Sequence, residues 1–100
     1  MPERPNQRKL DKIRREIVSA RKGIHNVTGR DLRSIAKRLG RERDTSRGKE
    51  PTFVSIWFKT NPISIPDDVK ADGTKRSILD DLEDDIFRFE TEGADDDSNN

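Results

Sequence analysis

The chain has 100 residues, of which 28% are hydrophobic and 41% are charged, and its formal net charge is +1. This length and apolar content support one small domain with a wide solvated surface. The absence of cysteine excludes disulfides and zinc–thiolate sites. Because no apolar run approaches the ~20 residues that span a bilayer, we expect a cytoplasmic protein without a membrane partner.

Basic and acidic residues are segregated along the chain. Residues 1–49 contain 16 Lys or Arg against 6 Asp or Glu, whereas residues 50–100 contain 5 against 14. A basic half is typical of a protein that binds a polyanion. The alternative is that the two halves neutralise each other across the fold, and composition alone leaves both interpretations open.

Two helices are predicted in the basic half, after a flexible lead-in at residues 1–6. Apolar residues recur at helical spacing between residues 8 and 22 and leave the other faces of that helix basic. Thr28, followed by Asp31 three positions later, is a capping-box pattern that begins a second helix. Gly40 is the expected C-terminal stop of this helix.

Three strands are predicted next. Residues 41–46 are predicted to form a polar edge strand, and residues 52–58 are rich in the β-branched and aromatic side chains of a central strand. A short third strand is expected at residues 63–65. Trp57 and Phe58 are adjacent, so we expect one of them in the core and the other on the opposite face of the sheet.

Thr74 is predicted to cap a third helix, which completes a single domain over residues 7–90. The acidic residues of this helix are predicted to form a solvated face: Asp80, Asp81, Glu83, Asp84 and Asp85. Acids spread around a helix do not converge on one ion, so we predict no metal and no cofactor. Residues 91–100 are predicted to be a disordered acidic tail. The order of elements, α-α-β-β-β-α, predicts an α+β fold in which helices pack on a small three-stranded antiparallel sheet.

Four stretches of the chain share a fixed order and spacing: residues 32–40 ending in Leu-Gly, Gly48 in a turn, residues 63–66 ending in proline, and residues 73–79 with a Gly-Thr-x-x-x-Ile-Leu pattern. In that order and spacing they resemble the HicA family of small toxin ribonucleases from toxin–antitoxin pairs. The resemblance covers about residues 28 to 88. It implies a fold like the double-stranded RNA-binding domain, RNA as a partner, and a cognate antitoxin-like protein as a second partner.

The chain departs from the family at the catalytic turn. Glu50 stands where the family has its catalytic histidine, and Lys49 stands where it has a serine. Cleavage requires a base that accepts the 2′-hydroxyl proton, and histidine suits this role near neutral pH. Glu50 is therefore the candidate catalytic residue of an altered mRNA interferase; the alternative is a site that has lost cleavage and keeps only solvated turn residues. The only histidine, His25, is interpreted as an exposed linker residue.

The predicted RNA-binding residues lie on the second helix and on the strand and turn that follow it: Arg33, Lys37, Arg41, Arg43, Arg47 and Lys49. Cations on a rigid face suit duplex RNA, which is recognised mainly through its backbone and 2′-hydroxyls. The alternative function is a catalytically silent interaction module that binds an acidic protein through this basic face. A DNA-binding helix-turn-helix is disfavoured, because Gly48 and Pro51 oppose a recognition helix across residues 44–53.

Overall fold

The structure, a computed structural model, describes residues 4–47 and 51–98. Its helices are α1 (Gln7–Lys22), α2 (Gly29–Arg38) and α3 (Asp72–Ser98), and its strands are β1 (Arg41–Arg43), β2 (Thr52–Ser55) and β3 (Ile63–Ser64). The strands form one antiparallel sheet in the order β1-β2-β3. The predicted α+β class and the order of its elements are confirmed.

Local capping signals set the ends of α1 and α2. The Asn6 side chain accepts a hydrogen bond from the Lys9 backbone N–H at 2.9 Å and begins α1. The predicted capping box of α2 is present, with Asp31 N–H donating to Thr28 Oγ1 at 3.2 Å and Thr28 N–H donating to Asp31 Oδ2 at 3.0 Å. Gly40 follows α2 with a φ of +83°, a conformation that favours glycine and turns the chain into β1.

Gly29 allows α2 to pack closely against the loop after β3. A Cβ atom at this position would lie 2.1 Å from the Pro66 carbonyl oxygen and 2.6 Å from that of Asp67. The first turn of α2 therefore packs against the loop after β3 more closely than any side chain allows. Because α2 begins beside this loop and ends beside β1, it runs between the two edges of the sheet.

The first two strands are shorter than the sequence predicts, because hydroxyl and carboxylate side chains at their ends accept hydrogen bonds from the backbone. The predicted strand 41–46 ends at Arg43, because the Asp44 side chain accepts a hydrogen bond from the Ser46 N–H at 3.0 Å and a 3₁₀ turn follows at Thr45–Arg47. The predicted strand 52–58 ends at Ser55, whose Oγ accepts the N–H groups of the next two aromatic residues at 3.1 Å each.

Those aromatic residues, Trp57 and Phe58, do not divide between core and solvent as predicted. Both are partly buried and pack against the core. Phe58 meets Phe89 edge to face, with ring centroids 4.7 Å apart. The bend at Ser55 removes the alternation on which that prediction depended.

The third helix begins earlier than predicted. α3 starts at Asp72, and the Lys75 N–H already bonds to the Ala71 carbonyl at 3.1 Å, so Thr74 lies inside the helix and the prediction that it is the cap is wrong. The buried Lys75 ammonium donates to the carbonyls of Ile24 and His25 at 3.1 and 3.2 Å and ties α3 to the segment between α1 and α2. The helix continues to Ser98, into the region for which the sequence predicts a disordered acidic tail.

The core is formed where the three helices meet the inner face of the sheet. Side chains that are fully or almost fully buried come from every layer: Ile13, Ile17, Leu32, Leu39, Phe53, Ile65, Leu79, Leu82 and Ile86. The residues outside this core form a largely charged surface, as the composition of this small domain predicts. Within the part of the chain that the structure describes, every helix is too short or too polar to cross a lipid bilayer.

Candidate nucleic-acid interface

Part of the basic half is neutralised inside the fold, by contacts between α1 and α3. Arg14 pairs with Glu90, and Arg21 pairs with Asp80 at 2.7 Å and with Glu83 at 3.2 Å. The hydrogen bond between Arg14 and Glu90 is the main cause of two pKa shifts: it lowers the pKa of Glu90 and raises the pKa of Arg14. These pairs connect the two helices, and acids of α3 balance the positive charge of Arg14 and Arg21.

Arg41 lies at the centre of the protein rather than on its surface. It is 2% exposed, and its guanidinium donates to Asp85 Oδ2 at 2.6 Å and to Asp85 Oδ1 at 3.0 Å. It also donates to the Phe53 carbonyl and to Thr60 Oγ1, each at 3.1 Å. The prediction that Arg41 belongs to an RNA-binding surface is therefore wrong, because its donors are already bound to buried acceptors.

Asp85 corrects the prediction for the acidic helix as well. It is wholly buried beside Arg41, whereas the other four acids of the predicted face, Asp80, Asp81, Glu83 and Asp84, are exposed. Although Asp81 is exposed, desolvation by the surrounding protein raises its pKa, and the neighbouring Asp84 carboxylate is the next cause. The solvated face of α3 is therefore formed by four of the five predicted acids, and the fifth, Asp85, joins the helix to the sheet.

A basic cleft lies along the outer side of α2. Its volume is about 490 Å³, and its lining residues are Arg30, Arg33, Ser34, Lys37, Arg38 and Asp67. Four cations thus surround one carboxylate and one hydroxyl group. We refer to this set of residues as the basic cleft. Its excess of positive charge and its concave shape suit an anionic ligand.

Two arginines of the basic cleft are held rigidly. Arg33 Nε donates to the Ile65 carbonyl at 2.8 Å, its Nη1 binds Asp67, and its guanidinium lies 5.6 Å from the centre of the Phe53 ring. Arg38 binds both carboxylate oxygens of Glu16, one of them at 2.9 Å. This fork raises the pKa of Arg38 and lowers that of Glu16. The edges of the cleft are therefore fixed before any ligand arrives.

The other two cations of the basic cleft are available. Arg30 and Lys37 are exposed and form no ion pair within residues 4–47 and 51–98. They are seven positions apart, which is close to two helical turns, so both lie on the outer side of α2 with Ser34 between them. The cleft combines two positioned guanidinium groups with two free cations, an arrangement that can bind two or more phosphate groups.

The structure brings together only some of the predicted RNA-binding residues. Arg33 and Lys37 line the basic cleft, while Arg43 is exposed on β1 and is not among the lining residues. Arg47 ends the 3₁₀ turn in the backbone. Gly48, Lys49 and the candidate catalytic residue Glu50 lie outside the described residues. The sequence analysis missed Arg30, Ser34 and Arg38, although helical spacing from Lys37 indicates that the first two share its face.

His25 is exposed, as its interpretation as a linker residue predicts. It lies in the 3₁₀ segment Ile24–Asn26, and its Nδ1 is 2.9 Å from Asp72 Oδ2 at the start of α3. It is not among the residues that line the basic cleft. The contact with Asp72 gives this histidine a structural position and no link to the candidate interface.

The chain was compared with known proteins at the level of families, curated sequences and solved structures. No family model matches it. The curated proteins and the solved structures give no significant match either.

Proposed function

We propose that this chain is a cytoplasmic, HicA-like RNA-binding protein of a toxin–antitoxin type, with a fold related to the double-stranded RNA-binding domain. The observation that carries the proposal is the basic cleft, in which Arg30 and Lys37 have no ion-pair partner among the described residues. Arg33 and Arg38 flank them in fixed positions. RNA backbone phosphates are ligands that suit such a set of donors.

Binding of this kind has a measurable signature. Each phosphate that a cation neutralises releases condensed counterions, so affinity falls steeply as the salt concentration rises. A fixed arginine loses little side-chain entropy on binding, whereas Arg30 and Lys37 must still be ordered. We therefore expect the free cations to contribute mainly through charge, and the held arginines to set the position of the backbone.

The test is the affinity for a structured RNA hairpin, measured by fluorescence anisotropy at several salt concentrations. The Arg30→Gln/Lys37→Gln variant removes both free cations and keeps residues of similar helix propensity. We expect it to lower the steepness of the salt dependence by about 2 in a plot of log K against log salt. The charge-preserving swap Arg30→Lys/Lys37→Arg is the matched control and should retain the wild-type slope. No binding by the wild type at low salt would refute the proposal.

Cleavage is a separate question, and it depends on Glu50. We propose that the chain is either an mRNA interferase with an altered site, in which Glu50 acts as the base and Lys49 stabilises phosphate charge, or a form that has lost cleavage. Wild type, Glu50→Ala and Glu50→His should be compared for RNA cleavage and for growth arrest on expression. Equal cleavage by wild type and Glu50→Ala removes Glu50 from the mechanism; cleavage by Glu50→His alone identifies a lost site.

The second candidate is a protein-interaction module that binds an acidic partner, such as a cognate antitoxin. One observation favours it: Arg33 and Arg38 already bind carboxylates, those of Asp67 and Glu16. An acidic segment could therefore occupy the same cleft. Co-purification with the product of a neighbouring gene, combined with no measurable affinity for RNA, would favour this candidate over the first.

A further inference from the structure

A row of cations runs along the outward side of α1, outside the part of the chain that resembles the HicA family. Arg8, Lys12, Arg15 and Lys22 are separated by four, three and seven positions. At about 100° per residue, all four lie within about 80° of one another around the helix axis. All are exposed, and none forms an ion pair within the described residues. We refer to these four residues as the α1 row.

Most of the remaining charged residues of α1 bind other side chains. Arg14 and Arg21 bind acids of α3, and Glu16 binds Arg38 of α2. Asp11 lies beside Arg14 at 3.3 Å and also accepts a hydrogen bond from Gln7. The carboxylates of this helix are thus bound to other side chains, and no unpaired carboxylate interrupts the α1 row. Ser19, which is exposed, lies on the same side in the interval before Lys22.

We propose that the α1 row is a second contact for the nucleic-acid backbone and lengthens the interface beyond the basic cleft. This inference rests on the proposed function. The row runs over 14 residue steps, or about 21 Å along the helix axis, a length along which several backbone phosphates of one strand can lie. The ion pair between Glu16 and Arg38 joins the helix that carries the row to the helix that carries the cleft.

The chemistry of the α1 row favours a nucleic acid over other polyanions. Protein interfaces are built around apolar or aromatic anchors, whereas the row consists of cations and lies beside Ser19, whose hydroxyl can bind phosphate. A helix that lies in a membrane interface inserts an apolar face. Here the apolar face of α1, formed by Leu10, Ile13 and Ile17, is already buried in the core.

The experiment uses the full chain and a duplex RNA of about 16 base pairs, a length that one double-stranded RNA-binding domain covers. The Lys12→Gln/Arg15→Gln variant should bind RNA more weakly than the wild type. In a plot of log K against log salt concentration, the slope for this variant should be smaller in magnitude by about 2. The swap Lys12→Arg/Arg15→Lys should retain both values. Lys59→Gln removes a cation from a cleft that no α1 or α2 residue lines, and it should leave the slope nearly unchanged.

The outcomes separate this inference from the proposed function. If the wild type does not bind the duplex, both the proposed function and the role of the α1 row are refuted. If it binds, and the Arg30→Gln/Lys37→Gln variant loses affinity while the α1 variant keeps the wild-type affinity and slope, only the α1 row is excluded. If the α1 variant alone loses affinity, the row is supported and the basic cleft is excluded as the main site. Circular dichroism of each variant establishes that a loss of affinity does not come from unfolding.

Discussion

Replacing Asp85 by asparagine tests the ion pair that joins the sheet to α3. The side chains of Arg41 and Asp85 are 2% and 1% exposed, and two hydrogen bonds of 2.6 and 3.0 Å connect them. The Asp85→Asn side chain has nearly the same shape, but it removes the carboxylate that pairs with the buried guanidinium and, at 3.1 Å, with Arg88. Breaking a buried pair in this way costs about 3–5 kcal/mol, a large part of the 5–15 kcal/mol that stabilises a typical domain.

Urea unfolding followed by circular dichroism measures this cost. For a domain with a slope of about 1–3 kcal/mol per molar urea, a loss of 3 kcal/mol moves the midpoint down by about 1–3 M. Asp84→Asn is the matched control, because Asp84 is an exposed acid on the same helix, and its replacement should change stability by less than about 0.5 kcal/mol. The double variant Arg41→Met/Asp85→Leu removes both charges and should recover much of the loss. Equal midpoints for Asp85→Asn and Asp84→Asn would refute the reasoning.

Three further substitutions test the packing and the electrostatics of the helices. Gly29→Ala should destabilise the protein by more than about 1 kcal/mol in urea unfolding, because its Cβ would lie 2.1 Å from the Pro66 carbonyl oxygen. Gly73→Ala should instead stabilise it by up to about 1 kcal/mol, because Gly73 lies in α3 with no atom within 4 Å of an added Cβ. Arg38 lowers the pKa of Glu16 from its ordinary value of 4.5. The carboxylate of Glu16 therefore takes up its proton at a higher pH in the unfolded state than in the folded state. The contribution of the Glu16–Arg38 pair to the stability of the fold is present above pH 4.5 and is lost as the pH falls through the pKa of the folded state. The stability difference between wild type and Glu16→Gln should shrink as unfolding is measured at progressively lower pH.

Each of these expectations has an outcome that contradicts it. If Gly29→Ala is as stable as the wild type, α2 does not approach the loop after β3 as closely as described. A loss of stability in Gly73→Ala would mean that the first turn of α3 needs the freedom of glycine. A stability difference for Glu16→Gln that stays constant with pH would show that the carboxylate of Glu16 contributes no pH-dependent stability.

Local patterns predicted the elements better than they predicted the contacts between them. The capping box at Thr28 and the stop at Gly40 are signals carried by a few adjacent residues, and both are confirmed. The burial of Arg41 depends on Asp85, which lies 44 positions further along the chain. No local signal connects the two, and a charged residue in a short polar strand is ordinarily exposed. The strand ends were missed for a different reason, since single side chains, such as the hydroxyl of Ser55, bend the backbone there.

The same reasoning explains why charge composition could not locate the candidate interface. Arg14 and Arg15 are adjacent and chemically identical, yet Arg14 binds Glu90 on α3 while Arg15 is exposed in the α1 row. One residue along a helix is a rotation of about 100°, so neighbouring cations reach different surroundings. The basic half of the chain therefore includes cations that hold α1 and the sheet against α3 and cations that face outward without an ion pair among the described residues, and these two populations are distinct from the paired arginines of the basic cleft. Substitutions in the second population should alter binding with little change in stability, and substitutions in the first should do the reverse.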